Sequence, residues 1–402
     1  MKAGSGVAQP MHFDGKHTAG LDGGGGPRRR ALWALATLAL LVAAFTVPPD
    51  PAAAGDFRSV GEPRTFERAP GIHEFVFEAT VGPSRFDRIA LHRFTGGAHP
   101  PIVMLYLPGT NMNGEAEDDD PRYSLKLYFA QHGVDLWALD YRTHFIPPQT
   151  PQEQLAELKG WTNELFDSDI DTVARCIIAK TGRDRIFVSG FSRGVSFAYV
   201  YAAEHPARVQ GLLMFDGGIL NGRHDSPPPG IYASDVSGKH LTWDKRQTLL
   251  KMVIENPSGR APLPQFKTAS ENLAHVVYYS AGFGGKGGLA NPFDGFSNMD
   301  ALARTLISYD RYWPMVQDYE DALGAKRAEE LANSKIPVLA FSSTNIAPDW
   351  AERVAKAAAS TGSSDVTVKR LVGWGHLDLI CGAHAEREVF APAIEWVRRH
   401  QR

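Results

Sequence analysis

Cysteine is almost absent from this chain: two among 402 residues, Cys176 and Cys381. Two thiols cannot make a disulfide-built scaffold. Both sit in apolar runs, "ARCIIAK" and "DLICGA", as buried inert thiols do. Neither has the histidine and acid context that a catalytic thiol needs. An excess of charge is lacking too. Lys and Arg number 42 against 45 Asp and Glu, a formal net of −3. No basic stripe is visible, so binding to nucleic acid has no electrostatic footing. His144 and His240 have neither catalytic nor metal-ligand placement, and no metal or organic cofactor is expected. No repeat or heptad run stands out. What remains is ordinary globular composition, 43% hydrophobic and 22% charged. A chain this long can build a full core, or a core carrying an inserted cap.

Long apolar runs are scarce as well, with one exception near the start. After "LDGGGGPRRR" comes "ALWALATLALLVAAFTV" (31–47), which carries no charge, and then "PPDPAAAGDF". A basic lead-in, an apolar centre and the small-x-small pair Ala52 and Ala54 read as a secretory signal peptide. The run is just short of the roughly 20 residues that a membrane-spanning helix wants. The alternative is an uncleaved anchor with its basic end inside. Either way residues 1–54 are a leader, and the folded part is expected outside the cytoplasm, secreted or periplasmic, or membrane-anchored. Membrane contact is expected only through that segment, if it is retained.

Behind the leader, "HEFVFEATVG" and "RFDRIALHRFTG" read as two strands joined by "GPSR". Buried strands "PIVMLYLPG", "VDLWALDYR", "RIFVSG" and "VQGLLMFDG" then alternate with helices "RYSLKLYFAQHG", "QEQLAELKGWTNELFDSDIDTVARCIIAKTG" and "GVSFAYVYAAEH". Gly133 and Gly182 close the first two helices. The alternation predicts a mostly parallel, doubly wound α/β sheet. It breaks after Gly218. Residues 219–332 are rich in Gly, Pro, Asn and aromatics, too long for one loop, and read as an inserted, mainly helical cap. It resumes with "IPVLAFSS", "DWAERVAKAAASTG", "VTVKRLVG" and "EVFAPAIEWVRRH". The core is therefore expected over 55–218 and 333–402.

"RIFVSGFSRGVSFAYVYAAEHP" (185–206) puts a serine on a corner between a strand and a helix. A serine hydroxyl is a poor nucleophile until a base takes its proton, so it must protrude where base and substrate both reach it. A sharp strand-to-helix turn does this. Small residues two positions before and after, Gly190 and Gly194, let the strand and the helix pass closely. Gly190-Phe191-Ser192-Arg193-Gly194 has this G-x-S-x-G form in the required context. The plain alternative is a serine N-cap between glycines. A base should come later, and "LVGWGHLDLICG" supplies His376 in a glycine-flanked loop after the last strand. Asp378, two residues on, reads as a helix cap rather than an acid.

Here the chain resembles the α/β-hydrolase superfamily, over roughly residues 75–220 and 335–400, by strand order and motif. "GHLDLICG" is similar to the histidine loop of its lid-bearing esterases and lipases. The resemblance implies the order serine, acid, histidine, which Ser192 and His376 fit. The family commonly places the acid after "IPVLAFSS". There this chain has "TNIAPDW", with Asn345 where the acid would stand and Asp349 four later, a departure from the pattern. Other members carry the acid after the preceding strand, where "LLMFDGG" offers Asp216. A carboxylate after an apolar strand is costly unless paired. Asp216 is the favoured acid and Asp349 the alternative, although each also suits a plain role, turn former or helix N-cap. The resemblance also implies an oxyanion hole made by the amides of Arg193 and Thr110, with Gly109 allowing close approach. Asn111 and Asn113 add contacts there or are simply surface polarity.

"GFGGKG" (282–287) matches G-x-G-x-x-G literally, but "GLANPFDGF" follows instead of a helix, so no dinucleotide or P-loop site is read there. The expectation is a serine hydrolase acting on a small-molecule or lipid carboxylic ester, needing no cofactor. An acyltransferase using the same residues is the rival enzyme, and a non-catalytic binding protein on the same scaffold is the rival of another class. The cap aromatics Tyr278, Tyr279, Phe293 and Trp313 suggest an apolar acyl or alcohol group, unless they simply pack.

Overall fold

The computed structural model describes residues 57, 59–97, 100–237, 241–279 and 288–401. The leader 1–54, the "GFGGKG" segment and His240 lie outside the described residues.

β1 (Arg64–Ala69), β2 (Ile72–Thr80) and β3 (Arg88–Thr95) pair antiparallel. β4 (Ile102–Leu107), α1 (Leu125–Gln131), β5 (Val134–Asp140), α2 (Asn163–Thr181), β6 (Ile186–Phe191), α3 (Arg193–Glu204) and β7 (Val209–Phe215) follow in strict alternation. Then come β8 (Ala233–Asp235), α4 (Trp243–Glu255), α5 (Ala269–Tyr279), α6 (Met299–Ile307), β9 (Tyr312–Pro314) and α7 (Ala325–Asn333). The chain ends with β10 (Val338–Ser342), α8 (Trp350–Ala359), β11 (Val366–Arg370), α9 (Asp378–Cys381) and α10 (Ala391–Arg399).

Nine strands form one sheet in the order β1-β2-β3-β5-β4-β6-β7-β10-β11. From β5 to β11 all neighbours are parallel. The central strands β4, β5 and β6 are buried along their whole length. That is why they read as unbroken apolar runs rather than as alternating ones. One face is covered by α1 and α10 through Leu127, Phe129, Ile394 and Trp396. The other is covered by α2, α3 and α8 through Ile170, Val173, Phe197 and Val354.

Three local outcomes differ from the sequence expectation. The helix read over 152–182 is two pieces: a 3₁₀ segment, Gln152–Gly160, and then α2. Thr162 starts the second, its Oγ1 accepting from the Leu165 amide at 3.2 Å, while Trp161 is buried. A capped start costs less than a helix forced through Gly160. The last helix begins as a π turn, Glu386–Phe390, before Pro392 in the first turn of α10. Proline has no amide to continue the α ladder. β1, at the sheet edge and largely exposed, had no apolar signal to reveal it.

The described residues pack as one unit, and the described part of the 219–332 stretch is shared among its parts. Apolar residues of α4, α5 and α6, such as Leu250, Val277 and Leu302, join the cluster that holds α1 and α10. β8 and β9 form a two-stranded ribbon. On its β9 strand Trp313 is buried against Tyr141 and Phe166. α7 lies against α3, where Arg327 pairs with Glu204 and Asp167. Among the described residues, no helix is long and apolar enough to cross a membrane.

Candidate active site

The loops after β4, β6, β7, β10 and β11 leave the same carboxyl edge of the parallel sheet, the edge where open α/β sheets collect their functional groups. Ser192 stands between β6 and α3 with φ 55° and ψ −119°, a backbone that side-chain-bearing residues rarely adopt. Its amide donates to the Phe215 carbonyl at 3.0 Å, which ties the corner to β7. The flanking glycines are required by space. A Cβ on Gly190 would lie 2.3 Å from the Gly194 carbonyl oxygen, and one on Gly194 would lie 1.9 Å from that of Leu107. The corner is therefore not an ordinary serine cap: no side-chain capping bond is made by Ser192.

Asp216 follows β7, fully buried, also at positive φ, 50°. Every lone-pair direction it uses is met. Oδ1 accepts from the Ser343 amide at 2.6 Å and from Trp350 Nε1 at 2.8 Å. Oδ2 accepts from Ser343 Oγ at 2.7 Å and lies 2.7 Å from His376 Nδ1. Burial of this carboxyl is compensated by hydrogen bonds on both oxygens. With Nδ1–H donating to that carboxylate, His376 Nε2 makes no hydrogen bond among the described residues. His376 is 7% exposed. Its ring lies 4.5 Å, centroid to centroid, from Phe191, the residue immediately before Ser192. Asp349 is elsewhere: exposed, at the N-terminus of α8, with its carboxylate on Arg353 Nε at 2.8 Å and Nη2 at 3.0 Å. That guanidinium holds its carboxyl below the usual range. Among the described residues no hydrogen bond joins Asp349 to His376.

Thr110 and Arg193 are clasped together, Arg193 Nε donating to Thr110 Oγ1 at 2.9 Å. Arg193 opens α3, and the first amides of a helix have no acceptor within it. The neighbouring Gly109 is pressed on the corner: a Cβ there would lie 2.9 Å from Ser192 Cβ. Arg193 also reaches Asp318 and lies over the Trp313 ring at 5.5 Å. Trp313 is thus core packing and a platform for Arg193. Tyr278, Tyr279 and Phe293 cluster separately, the last two half-exposed.

Several residues that hold this arrangement do so through partners that the sequence did not show. Ser343 and Trp350 fix Asp216. Asn111 and Asn113 are buried rather than surface polarity. Asn111 Nδ2 donates to the Asp310 carbonyl at 2.9 Å and Asn113 Nδ2 to that of Ser308 at 2.7 Å. Asp378 is buried and accepts from the amides of Gly375 at 2.7 Å and Asn291 at 3.0 Å, as well as from Ser297. Burial pushes its carboxyl up. It folds the histidine loop onto the 288–291 segment rather than capping a helix. Their partners are distant in sequence, so only the fold reveals them. Cys381 is buried and Cys176 half-buried, both unpaired. Among the described residues, no group of acids, histidines and cysteines could hold a metal ion.

No family model matches the chain, and no curated protein matches its sequence. Solved structures do. A Sulfolobus solfataricus protein described as a candidate lipase aligns with 85% of this chain and 100% of its own, at 26% identity and TM-score 0.70. An esterase from Thermogutta terrifontis aligns with 79% of this chain and 96% of its own, at 15% identity and TM-score 0.44. A monoacylglycerol lipase from Paleococcus ferrophilus aligns with 76% and 96%, at 16% identity and the same score. With this sheet order, a serine on the β6–α3 corner and the first of these likenesses, the chain is a member of the α/β-hydrolase superfamily.

Proposed function

We propose that this chain is an exported serine hydrolase that cleaves a carboxylic ester through an acyl-enzyme. The observation that carries the reading is the 2.7 Å bond between Asp216 and His376 Nδ1, beside a serine on a strained corner. His376 Nε2 takes the Ser192 proton as Oγ attacks the ester carbonyl. The amides of Arg193 and Thr110 hold the oxygen as it becomes negative. The C–O bond to the leaving alcohol breaks as the imidazolium returns the proton to it. Water, deprotonated by the same histidine, then releases the acid from Ser192. Asp216 keeps the imidazole in the Nδ1–H tautomer and steadies its charged form. The lipase chemistry ascribed to the Sulfolobus relative points the same way. Export is proposed from the leader alone: Arg28, Arg29 and Arg30, the apolar run and the Ala52/Ala54 exit.

The test is a series of nitrophenyl esters of rising acyl length, run on the wild type and on Asp216→Asn and Asp349→Asn. Turnover is expected in the wild type and in Asp349→Asn, and a loss of several orders of magnitude in Asp216→Asn. Absence of turnover across the series in folded wild type would instead favour a binding protein.

A further inference from the structure

Helices α4, α5 and α6 wall a cavity of about 600 Å³, in the range that encloses whole small molecules. Leu249, Leu250, Val277 and Leu306 make much of its lining. Among the described lining residues there is one strong cation. Arg246 lines the cavity and is 8% exposed. Its Nη2 donates to the Leu306 carbonyl at 2.7 Å, but its buried Nη1 has no acceptor among the described residues. The rings of Trp243 and Tyr309 flank it, 5.6 and 5.7 Å from centroid to guanidinium. No described carboxylate pairs with it directly: Asp235, bonded to Arg311 Nε at 2.9 Å, acts on it only from farther off. Ser237, also lining the cavity, has a buried hydroxyl without a partner among the described residues.

A buried guanidinium without a directly bonded anion is costly, and two aromatic faces and the more distant Asp235 offset only part of that cost. Burial pulls the Arg246 pKa down to about 10, which still leaves it charged at neutral pH. Apolar walls with one unpaired cation are the complement of an apolar chain with one anionic end. Neither Ser192 nor His376 lines the cavity, yet it backs onto both loops of the candidate site. Leu289 in its wall accepts from the Leu377 amide at 2.6 Å, beside His376. Tyr309 precedes Asp310, whose amide donates to the Asn111 carbonyl at 2.7 Å.

We propose that this cavity binds an amphiphilic carboxylate, its chain along the leucine walls and its anionic end on Arg246. The inference rests on the ester-hydrolase reading, because that reaction releases a carboxylate. The same chemistry would also be met by a second acid group on the substrate.

The experiment is displacement of the neutral fluorophore N-phenyl-1-naphthylamine by decanoate and by decan-1-ol at pH 8. In the wild type decanoate binds about tenfold or more tightly than the alcohol, as a charge-assisted bond implies. In Arg246→Met the ratio falls to about one, and in Arg246→Lys it is partly kept. Equal affinities in the wild type, or an unchanged ratio in Arg246→Met, overturn the site. The wild-type ratio decides even where a variant fails to fold. Turnover of nitrophenyl decanoate by the same preparation separates the two readings. Selective displacement without turnover sinks the hydrolase and leaves the site, whereas turnover without selectivity sinks the site alone. A KM for the monoester of decanedioic acid below that for ethyl decanoate, raised in Arg246→Met, assigns the anion to the substrate. Equal KM values assign it to the released acid.

Discussion

Four donors on one carboxylate describe what Asp216 is for. A buried turn-forming aspartate would need one or two partners; this one is bonded by a serine twice, an indole and the imidazole. Replacing it by Asn keeps the shape but reverses the donor pattern, and leaves His376 in the wrong tautomer. The expected fall in kcat is about 10⁴-fold, with the fold intact by circular dichroism. Asp349→Asn, which removes only a surface pair with Arg353, leaves kcat within about twofold and the urea midpoint nearly unchanged. If instead Asp349→Asn is the variant that loses turnover, the assignment is reversed. Sequence alone left the two acids open, because the chain has Asn345 where the family's acid is expected. Distance and burial are what favour Asp216 in the proposed role.

The β6–α3 element shows how the corner is built. Gly194 touches the Leu107 carbonyl and Gly190 touches Gly194, so strand, helix and the neighbouring strand β4 meet within van der Waals contact. Gly194→Ala places a methyl where a backbone oxygen already is. It is expected to cost about 1–3 kcal/mol or more in urea unfolding and to abolish turnover by displacing Ser192. Gly109→Ala is the milder case, since its methyl would meet Ser192 Cβ at 2.9 Å rather than a backbone oxygen at 1.9 Å. Because that Cβ moves only with the corner itself, kcat should fall with a smaller stability loss than in Gly194→Ala, and a change in stability alone would contradict the contact. The elbow, the alternating core strands and the histidine loop were legible because local pattern encodes them: small residues at two positions, apolar runs, a glycine-flanked histidine. The 219–332 stretch was not. Its helices α4 and α6 showed in their periodicity, but α5 did not, and neither did the docking of α7 on α3. Those are set by contacts between residues far apart in the chain. Asn111 and Asn113 pass for surface polarity, and Asp378 for a helix cap, until the segments they bond are folded over them.

At the scale of the whole molecule, a buried chain of charges joins the antiparallel end of the sheet to the 308–310 segment. Arg68 and His92 meet Glu74, and His92 Nε2 lies 2.9 Å from Asp140. His144 sits between Asp140 and Asp310, with Nδ1 2.9 Å from the latter. Glu115 acts on it from farther off. Burial opposes the charged form of both histidines, but the surrounding carboxylates outweigh it. His92 is raised to about 9 and His144 to about 10. Their stabilisation is complete below the unfolded value near 6.5 and is lost as pH rises through 9 to 10. Stability measured by urea unfolding should therefore fall between pH 7 and 10, by up to ~1.4 kcal/mol per pH unit for each histidine that deprotonates. A His92→Gln/His144→Gln variant should flatten that slope, and an unchanged slope would contradict the assignment. The same chain reaches the 108–114 loop, through Gly114 on Asp140 and Asn113 on Asp310, so it braces one wall of the candidate site. What that site does is tested most directly by trapping. Folded wild type treated with an alkyl fluorophosphonate should gain the mass of one phosphonyl group, on the peptide containing Ser192, and Ser192→Ala should gain none. A folded wild type that stays unlabelled, or a label that persists in Ser192→Ala, would contradict the account.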